Sequence, residues 1–279
     1  MCGNNRTMRF GLDIAQQRVP WSEVASRARF AEELGFDGVW GFDHFQPMYG
    51  EGPGECFEGN TTLAALSGLT ERVRLGLLVT GMTYRHPSVF AAEAITIDHA
   101  SNGRLELSYG AAWFDKEHTE LGIPFPALKE RVDAFEEAVQ VVRGLLTTDA
   151  FTFEGRHFRV VGATLLPRPV QRPHPPIWIG ASGEQRMMPI ASRYADVWHC
   201  FGPPAYLAGK SQRISALAES AGRDPAAIAR AASLSIEADL DGVAGLVEEW
   251  EAAGFDYLVC GWPSEGRPLV ERFAARVLA

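Results

Sequence analysis

The chain has 279 residues, and its 46% of apolar and 22% of charged residues are typical of a globular protein. This composition excludes an intrinsically disordered or fibrous chain. Aspartate and glutamate number 35 against 26 lysines and arginines, which gives a formal net charge of −9. Such acidity argues against a nucleic-acid partner, because binding to phosphates requires a basic face.

Further exclusions come from segments that are missing. No apolar run approaches the ~20 residues that a membrane-spanning helix needs, and no charged and apolar leader precedes a cleavage site. We therefore expect a cytoplasmic protein without a membrane partner. The cysteines at positions 2, 56, 200 and 260 form no CxxC pair, which predicts neither a zinc site nor a redox dithiol. Residues 1–7 are expected to form a disordered terminus.

Strand-like and helix-like segments alternate along the first half of the chain. Apolar residues recur at helical spacing from Trp21 to Leu34, and Gly35 ends that helix. The nearly all-apolar run VRLGLLV at 73–79 is typical of a strand covered on both faces. The predicted elements are a strand at 8–14, a helix at 21–34, a strand at 37–42, a helix at 60–70, a strand at 73–79, a helix at 87–101, a strand at 104–109 and a helix at 127–146.

The alternation is interrupted after the fourth helix. Residues 151–160 are typical of a hairpin around Glu154 and Gly155. The proline-rich run PRPVQRPHPP at 167–176 excludes a helix there. We therefore predict an insertion over residues 147–176, between the fourth helix and the fifth strand.

The second half returns to the alternating pattern and sets the fold class. Eight strand–helix units favour a (β/α)8 TIM barrel over a doubly wound sheet, and one barrel of roughly 250 residues would use nearly all of 1–279 as a single domain. A GxGxxG loop after the first strand is absent, which also disfavours the doubly wound alternative. The predicted elements here are a strand at 177–180, a helix near 184–193, a strand at 196–201, a helix near 205–221, a strand near 232–237, a helix near 242–253, a strand at 256–260 and a last helix.

In such a barrel the active site lies at the carboxyl ends of the strands. His44, directly after the second strand, is the strongest candidate, because imidazole donates or accepts a proton near neutral pH. A structural histidine bound to a loop carbonyl is the alternative. Asp43 cannot share the strand face of His44 and would serve as a separate hydrogen-bond acceptor.

Two strand ends are rich in small residues. Gly180, Ala181, Ser182 and Gly183 form a strand-to-helix turn whose N–H groups could hold a phosphate, although a helix cap by Ser182 explains the pattern as well. The run GAA at 110–112 would let a flat ligand approach the backbone, with tight loop packing as the alternative.

The remaining candidates are weaker. Glu117, His118 and His199 form no metal-ligand motif, so no metal is predicted, and Ser182 lacks the GxSxG elbow of a hydrolase. Trp113 and Trp262 fall near strand ends and could wall a planar cofactor.

The ordered series of these motifs resembles the luciferase-like flavin and deazaflavin oxidoreductases, and within them the branch that uses coenzyme F420. The resemblance runs through almost the whole chain. It rests on AEELGFDGVWGFDHFQP at 31–47, RVRLGLLVTGMTYRHP at 72–87, IDHASNGRLELSYGAAW at 97–113, FEGRHFRV at 153–160, RPVQRPHPPIWIGASGE at 168–184 and RYADVW at 193–198.

The resemblance implies a fold, a cofactor and a set of site residues. The fold is a bacterial-luciferase-like (β/α)8 barrel with an insertion after the fourth unit. A non-prolyl cis peptide within Leu77–Thr80, at Leu78–Val79, would back the ring of the deazaflavin F420. His44 would be the catalytic acid or base. The cofactor-binding residues would be Asp43, His44, Leu78, Val79, Thr80, Gly110, Ala111, Ala112, Trp113, Gly180, Ala181, Ser182 and Gly183.

The implied activity is hydride transfer between F420 and a small organic substrate. Met48 and Trp113 replace a tryptophan and an acidic residue of the sugar-phosphate dehydrogenases of this branch, which puts glucose 6-phosphate in doubt. The alternatives are an FMN-dependent two-component monooxygenase and a non-catalytic flavin- or deazaflavin-binding protein. A homodimer, and an external reductase that supplies the reduced cofactor, are also expected.

Overall fold

The computed structural model describes residues 8–278, so the predicted disordered segment 1–7 and Cys2 lie outside the described residues. Eight parallel strands close into a barrel in the order β1-β2-β3-β4-β7-β8-β9-β10, which confirms the predicted (β/α)8 class. The barrel strands are β1 (Arg9–Asp13), β2 (Gly38–Gly41), β3 (Arg74–Leu77), β4 (Leu105–Tyr109), β7 (Ile177–Gly180), β8 (Val197–Cys200), β9 (Ala229–Ser235) and β10 (Tyr257–Gly261).

Helices follow the strands around the outside of the barrel. They are α1 (Trp21–Glu33), α2 (Gly59–Ser67), α3 (Pro87–Ala100), α4 (Asp115–Leu121), α5 (Leu128–Thr147), α6 (Met187–Tyr194), α7 (Pro204–Ser220), α8 (Leu240–Ala252) and α9 (Arg267–Phe273). Short 3₁₀ turns occupy Met82–Tyr84 and Pro225–Ala227, and a π-helical turn occupies Ala274–Leu278. No helix among the described residues combines the length and apolarity needed to cross a membrane.

The predicted insertion is present between α5 and β7. Its antiparallel hairpin consists of β5 (Phe151–Glu154) and β6 (Arg159–Ala163). The following proline-rich stretch contains cis peptides at Leu166–Pro167 and Arg172–Pro173. It returns the chain to the barrel, where β7 pairs with β4.

Two details of the chain differ from the sequence prediction. Helix α4 was not predicted, because its seven residues are too few to show a helical repeat. Strand β9 begins at Ala229 rather than near 232, since its first residues, Ala229, Arg230 and Ala231, have little tendency to form a strand and pairing with β8 and β10 decides their conformation.

Large aromatic side chains fill the barrel below the carboxyl ends of its strands. Trp40, Trp178 and Tyr257 come from strands that are not neighbours, yet the ring centroids of Trp40 and Trp178 lie 4.3 Å apart, so these side chains meet inside the barrel. Trp40 Nε1 donates to Tyr257 Oη at 3.0 Å, and Trp178 Nε1 donates to Glu106 Oε2 at 2.6 Å. We call Trp40, Trp178 and Tyr257 the aromatic plug.

Two aspartates that precede strands in similar sequence contexts, Asp37 and Asp196, act at the amino end of the barrel. Asp37 Oδ2 accepts the N–H of Phe10 at 2.7 Å, and Asp196 Oδ2 accepts the N–H of Ile177 at 2.9 Å. Each carboxylate therefore caps the start of an adjacent strand, and these repeated residues are structural.

Gly76 tests the packing of the aromatic plug. A Cβ added at Gly76 would lie 2.4 Å from Trp40 Cζ3, so Gly76→Ala should lower the free energy of unfolding by about 1–3 kcal/mol. The matched control is Gly245→Ala in α8, where the added methyl has nothing within 4 Å and should stabilise by about 0.5–1 kcal/mol. Urea unfolding measures both changes, and equal stabilities of the two variants would contradict this packing.

Candidate functional site

A cavity of about 560 Å³ opens at the carboxyl ends of β2, β3, β4, β7 and β8. Every predicted site residue except Thr80 lines it. The lining residues are Asp43, His44, Leu78, Val79, Gly81, Tyr84, Gly110, Ala111, Ala112, Trp113, Leu128, Val132, Gly180, Ala181, Ser182, Gly183, Met187, His199, Cys200 and Phe201. The barrel thus brings together motifs that lie up to about 140 residues apart in the chain.

The floor of the cavity is the segment after β3, and the peptide Leu78–Val79 there is cis and non-prolyl, as predicted. Leu78 packs against the aromatic plug, which closes the barrel beneath the cavity. A Cβ added at Gly110 would lie 2.5 Å from Val79 Cγ2, so only glycine fits beside this floor. Thr80 points away from the cavity instead, with Oγ1 3.5 Å from Asn60 Oδ1.

Asp43 is buried in an ion-pair network rather than free at the cavity wall. Arg85 donates to its two carboxylate oxygens at 2.7 and 3.0 Å, and the N–H of Gly81 donates to Oδ2 at 3.0 Å. Arg85 also contacts Glu58 and Glu93. Asp43 therefore joins the end of β2 to the segment after β3, and its charge is compensated by a fixed guanidinium.

His44 is held by Glu117, which the sequence analysis passed over as a weak candidate. His44 Nδ1 lies 3.0 Å from Glu117 Oε2, and Tyr84 Oη donates to the same oxygen at 2.6 Å. The N–H groups of Phe45 and Gln46 donate to Glu117 Oε1 at 2.5 and 2.8 Å. The only sequence signal was the position of Glu117 in the segment that follows β4, eight residues after that strand ends at Tyr109.

This arrangement selects the tautomer of His44. Burial acts to raise the pKa of Glu117, but the hydrogen bonds from His44, Tyr84 and the two backbone N–H groups outweigh it and lower the pKa below its ordinary value. Glu117 is then an ionised carboxylate, which can only accept hydrogen bonds. His44 must carry a proton on Nδ1, and Nε2 is left for the cavity that His44 lines.

Aromatic side chains surround the imidazole of His44. The ring centroids of Phe42, Tyr84, Trp113 and Phe114 lie 5.3–6.4 Å from that of His44. Three of the four pairs are edge-on, which is an arrangement that aromatic rings favour. These contacts fix the plane of the imidazole.

The turn at 180–183 presents backbone N–H groups to the cavity. The carbonyls of Ala181, Ser182 and Gly183 accept from Trp198 Nε1 at 2.8 Å, Lys210 Nζ at 3.0 Å and the N–H of Met188 at 2.9 Å. In a trans peptide the next N–H points the opposite way from the carbonyl. Within residues 8–278 the N–H groups of Ser182 and Gly183 donate to no protein acceptor, and both residues line the cavity. This turn precedes α6 and suits an anion.

His199 also lines the cavity, although no role for it was predicted from the sequence. Its Nε2 lies 3.1 Å from Ser233 Oγ, and burial lowers its pKa from 6.5 to about 4. His199 is therefore an uncharged wall residue at neutral pH. Among the described residues, no cluster of His, Cys, Asp and Glu side chains is placed to hold a metal ion.

Comparison with known proteins assigns the family. Residues 7–239 match the model of the luciferase-like monooxygenase family, and the chain belongs to that family.

The matches to individual relatives cover only part of the length of each relative. The chain is 37% identical to an F420-dependent glucose-6-phosphate dehydrogenase of Nakamurella multipartita over 68% of this chain and 55% of the relative. It is 31% identical to an FMNH(2)-dependent dimethylsulfone monooxygenase of Pseudomonas putida over 66% of this chain and 50% of the relative. The chain thus spans about half the length of the curated relatives it matches.

The fold has solved counterparts. The coenzyme F420-dependent tetrahydromethanopterin reductase of Methanopyrus kandleri superposes with a TM-score of 0.84 at 19% identity, over 97% of this chain and 98% of that one. At this identity the likeness establishes the fold, which is the luciferase-like barrel.

The burial of His199 predicts a pH dependence of stability. Its pKa is 6.5 in ordinary surroundings and about 4 in the folded protein, so the unfolded chain binds the proton first as the pH falls. The free energy of unfolding should therefore decline by about 3 kcal/mol as the pH falls from above 6.5 toward 4. Urea unfolding at several pH values measures this decline, and His199→Gln should flatten it. Identical slopes for the two proteins would contradict a buried neutral histidine.

Proposed function

We propose that the protein is an oxidoreductase that transfers a hydride between coenzyme F420 and a small organic substrate, with His44 as the proton donor or acceptor. The observation that carries this proposal is the fixed imidazole: Glu117 holds His44 Nδ1 at 3.0 Å and leaves Nε2 for the cavity that Leu78 and Val79 also line. Curated relatives named as F420-dependent dehydrogenases support the choice of cofactor.

The residues around the cavity fit a deazaflavin with an anionic tail. A flat ring would rest on Leu78 and Val79, and the absence of a side chain at Gly110 keeps that surface open. The N–H groups of Ser182 and Gly183 would hold a phosphate, and the loop 110–113 would line the chain between ring and phosphate. The cofactor-binding set predicted from the sequence therefore carries over, with Thr80 acting behind the floor.

The chemistry divides between cofactor and protein. When bound, F420 gives or takes a hydride at carbon 5 of its ring, which accounts for two electrons and one hydrogen. The second hydrogen passes as a proton, and His44 Nε2 holds that proton or accepts it from the substrate. Glu117 keeps the imidazole in the tautomer that accepts at Nε2 and stabilises the imidazolium that follows.

A reductase elsewhere in the cell would supply the reduced cofactor, and we expect a homodimer. The FMN-dependent monooxygenase is the second candidate, because one curated relative carries that activity in its name. Oxygen consumption coupled to reduced FMN would select it. Oxidation of reduced F420 by an organic acceptor without oxygen would exclude it. Binding of F420 without turnover on any acceptor would indicate that the protein binds the cofactor but does not catalyse a reaction.

His44→Ala tests the proposed function. The loss of the proton donor should lower turnover at saturating F420 by about 10²-fold or more, with the dissociation constant of F420 measured separately by fluorescence titration so that saturation is assured. The control is His86→Asn, which alters a histidine that caps α3 outside the cavity and should retain full turnover. Unchanged turnover of His44→Ala at saturating cofactor would overturn the catalytic role of His44.

A further inference from the structure

Resting on the proposed function, we propose that the substrate is an uncharged, largely apolar carbonyl compound or its alcohol, and not a phosphorylated sugar. Three features of the cavity carry this inference: the lack of a lysine or arginine among the described residues that line it, an apolar rim, and a proton-transfer group, His44, that Glu117 fixes in place.

The cavity offers no cation to a phosphorylated substrate. Neither lysine nor arginine is among the described residues that line it, and Asp43, its one carboxylate, is paired with Arg85. Lys210 behind the 180–183 turn is held by Ser182 O and by Glu184 Oε1 at 2.9 Å. A phosphate on the substrate would therefore enter without a counter-ion, which is costly away from water. The N–H groups of the turn are already assigned to the phosphate of the cofactor.

Apolar side chains stand exposed around the cavity opening. Trp113, Leu128 and Phe201 are 66%, 66% and 67% exposed. Trp113 and Leu128 follow β4, in the loop and at the start of α5, and Phe201 follows β8. Val132 and Met187 continue the same surface into the cavity. We call Trp113, Leu128 and Phe201 the apolar rim. An exposed apolar ring around a pocket is typical of a binding site for an apolar ligand.

His44 supplies a fixed group for a substrate oxygen. Because Glu117 engages Nδ1 of His44, Nε2 is available to a substrate oxygen, whereas the hydroxyl of Tyr84 already donates to Glu117. A molecule with one carbonyl or hydroxyl oxygen and an apolar body would place the oxygen at His44 and the body against the apolar rim. A sugar would leave most of its hydroxyl groups against apolar walls.

Calorimetric titration of the F420-loaded protein tests this inference through binding rather than turnover. The probes are 2-butanone, 2-hexanone, 2-octanone and glucose 6-phosphate. Each added CH₂ group should raise the affinity about 3- to 4-fold, in line with the transfer of a methylene out of water. Glucose 6-phosphate should show no binding at the same concentrations.

Rim variants complete the experiment. Phe201→Ala and Leu128→Ala should each weaken 2-octanone binding several-fold, while Leu166→Ala, a 73% exposed apolar residue that does not line the cavity, should leave it unchanged. Tighter binding of glucose 6-phosphate than of the ketones, or ketone affinity independent of chain length, would overturn the inference and leave the proposed function standing. Failure of F420 to bind in a prior fluorescence titration would overturn both.

Discussion

The candidate site depends on one buried carboxylate. Glu117 is fully buried, and a carboxylate in that position is tolerable only because four donors satisfy it. The donors come from the loop after β2, from the 3₁₀ turn that contains Tyr84, and from His44 itself. Helix α4 places this side chain, and the hydrogen bonds of Glu117 join three loops at the mouth of the barrel. The orientation and tautomer of His44 follow from it.

The other residues that line the cavity carry little uncompensated charge. Asp43 is paired with Arg85, which also contacts Glu58 and Glu93, and burial keeps His199 uncharged. The aromatic plug closes the barrel below, so ligands have access only from the carboxyl ends of the strands. Low polarity strengthens the few polar contacts that remain, the Glu117–His44 hydrogen bond above all.

The sequence predicted the barrel, the insertion and twelve of the twenty residues that line the cavity, and the family resemblance implied the cis peptide. These features are local: the strand periodicity, the prolines at 167–176 and the small residues at strand ends mark their own positions. Helix α4 and the role of Glu117 were not predicted. A seven-residue helix shows no periodicity, and the pairing of His44 with a residue 73 positions away depends on the folded barrel. The direction of Thr80 and the pairing of Asp43 with Arg85 likewise depend on which side chains the closed barrel brings together.

The state of His44 is the point on which the functional account depends. Selective ¹⁵N labelling of histidine, with the His44 signals assigned through a His44→Gln variant, reports which ring nitrogen carries the proton. At neutral pH the neutral imidazole should be protonated on Nδ1, and Glu117→Gln should move that proton to Nε2, because an amide can donate where the carboxylate could only accept. A neutral imidazole in the unaltered protein that carries its single proton on Nε2 instead of Nδ1 would contradict the account.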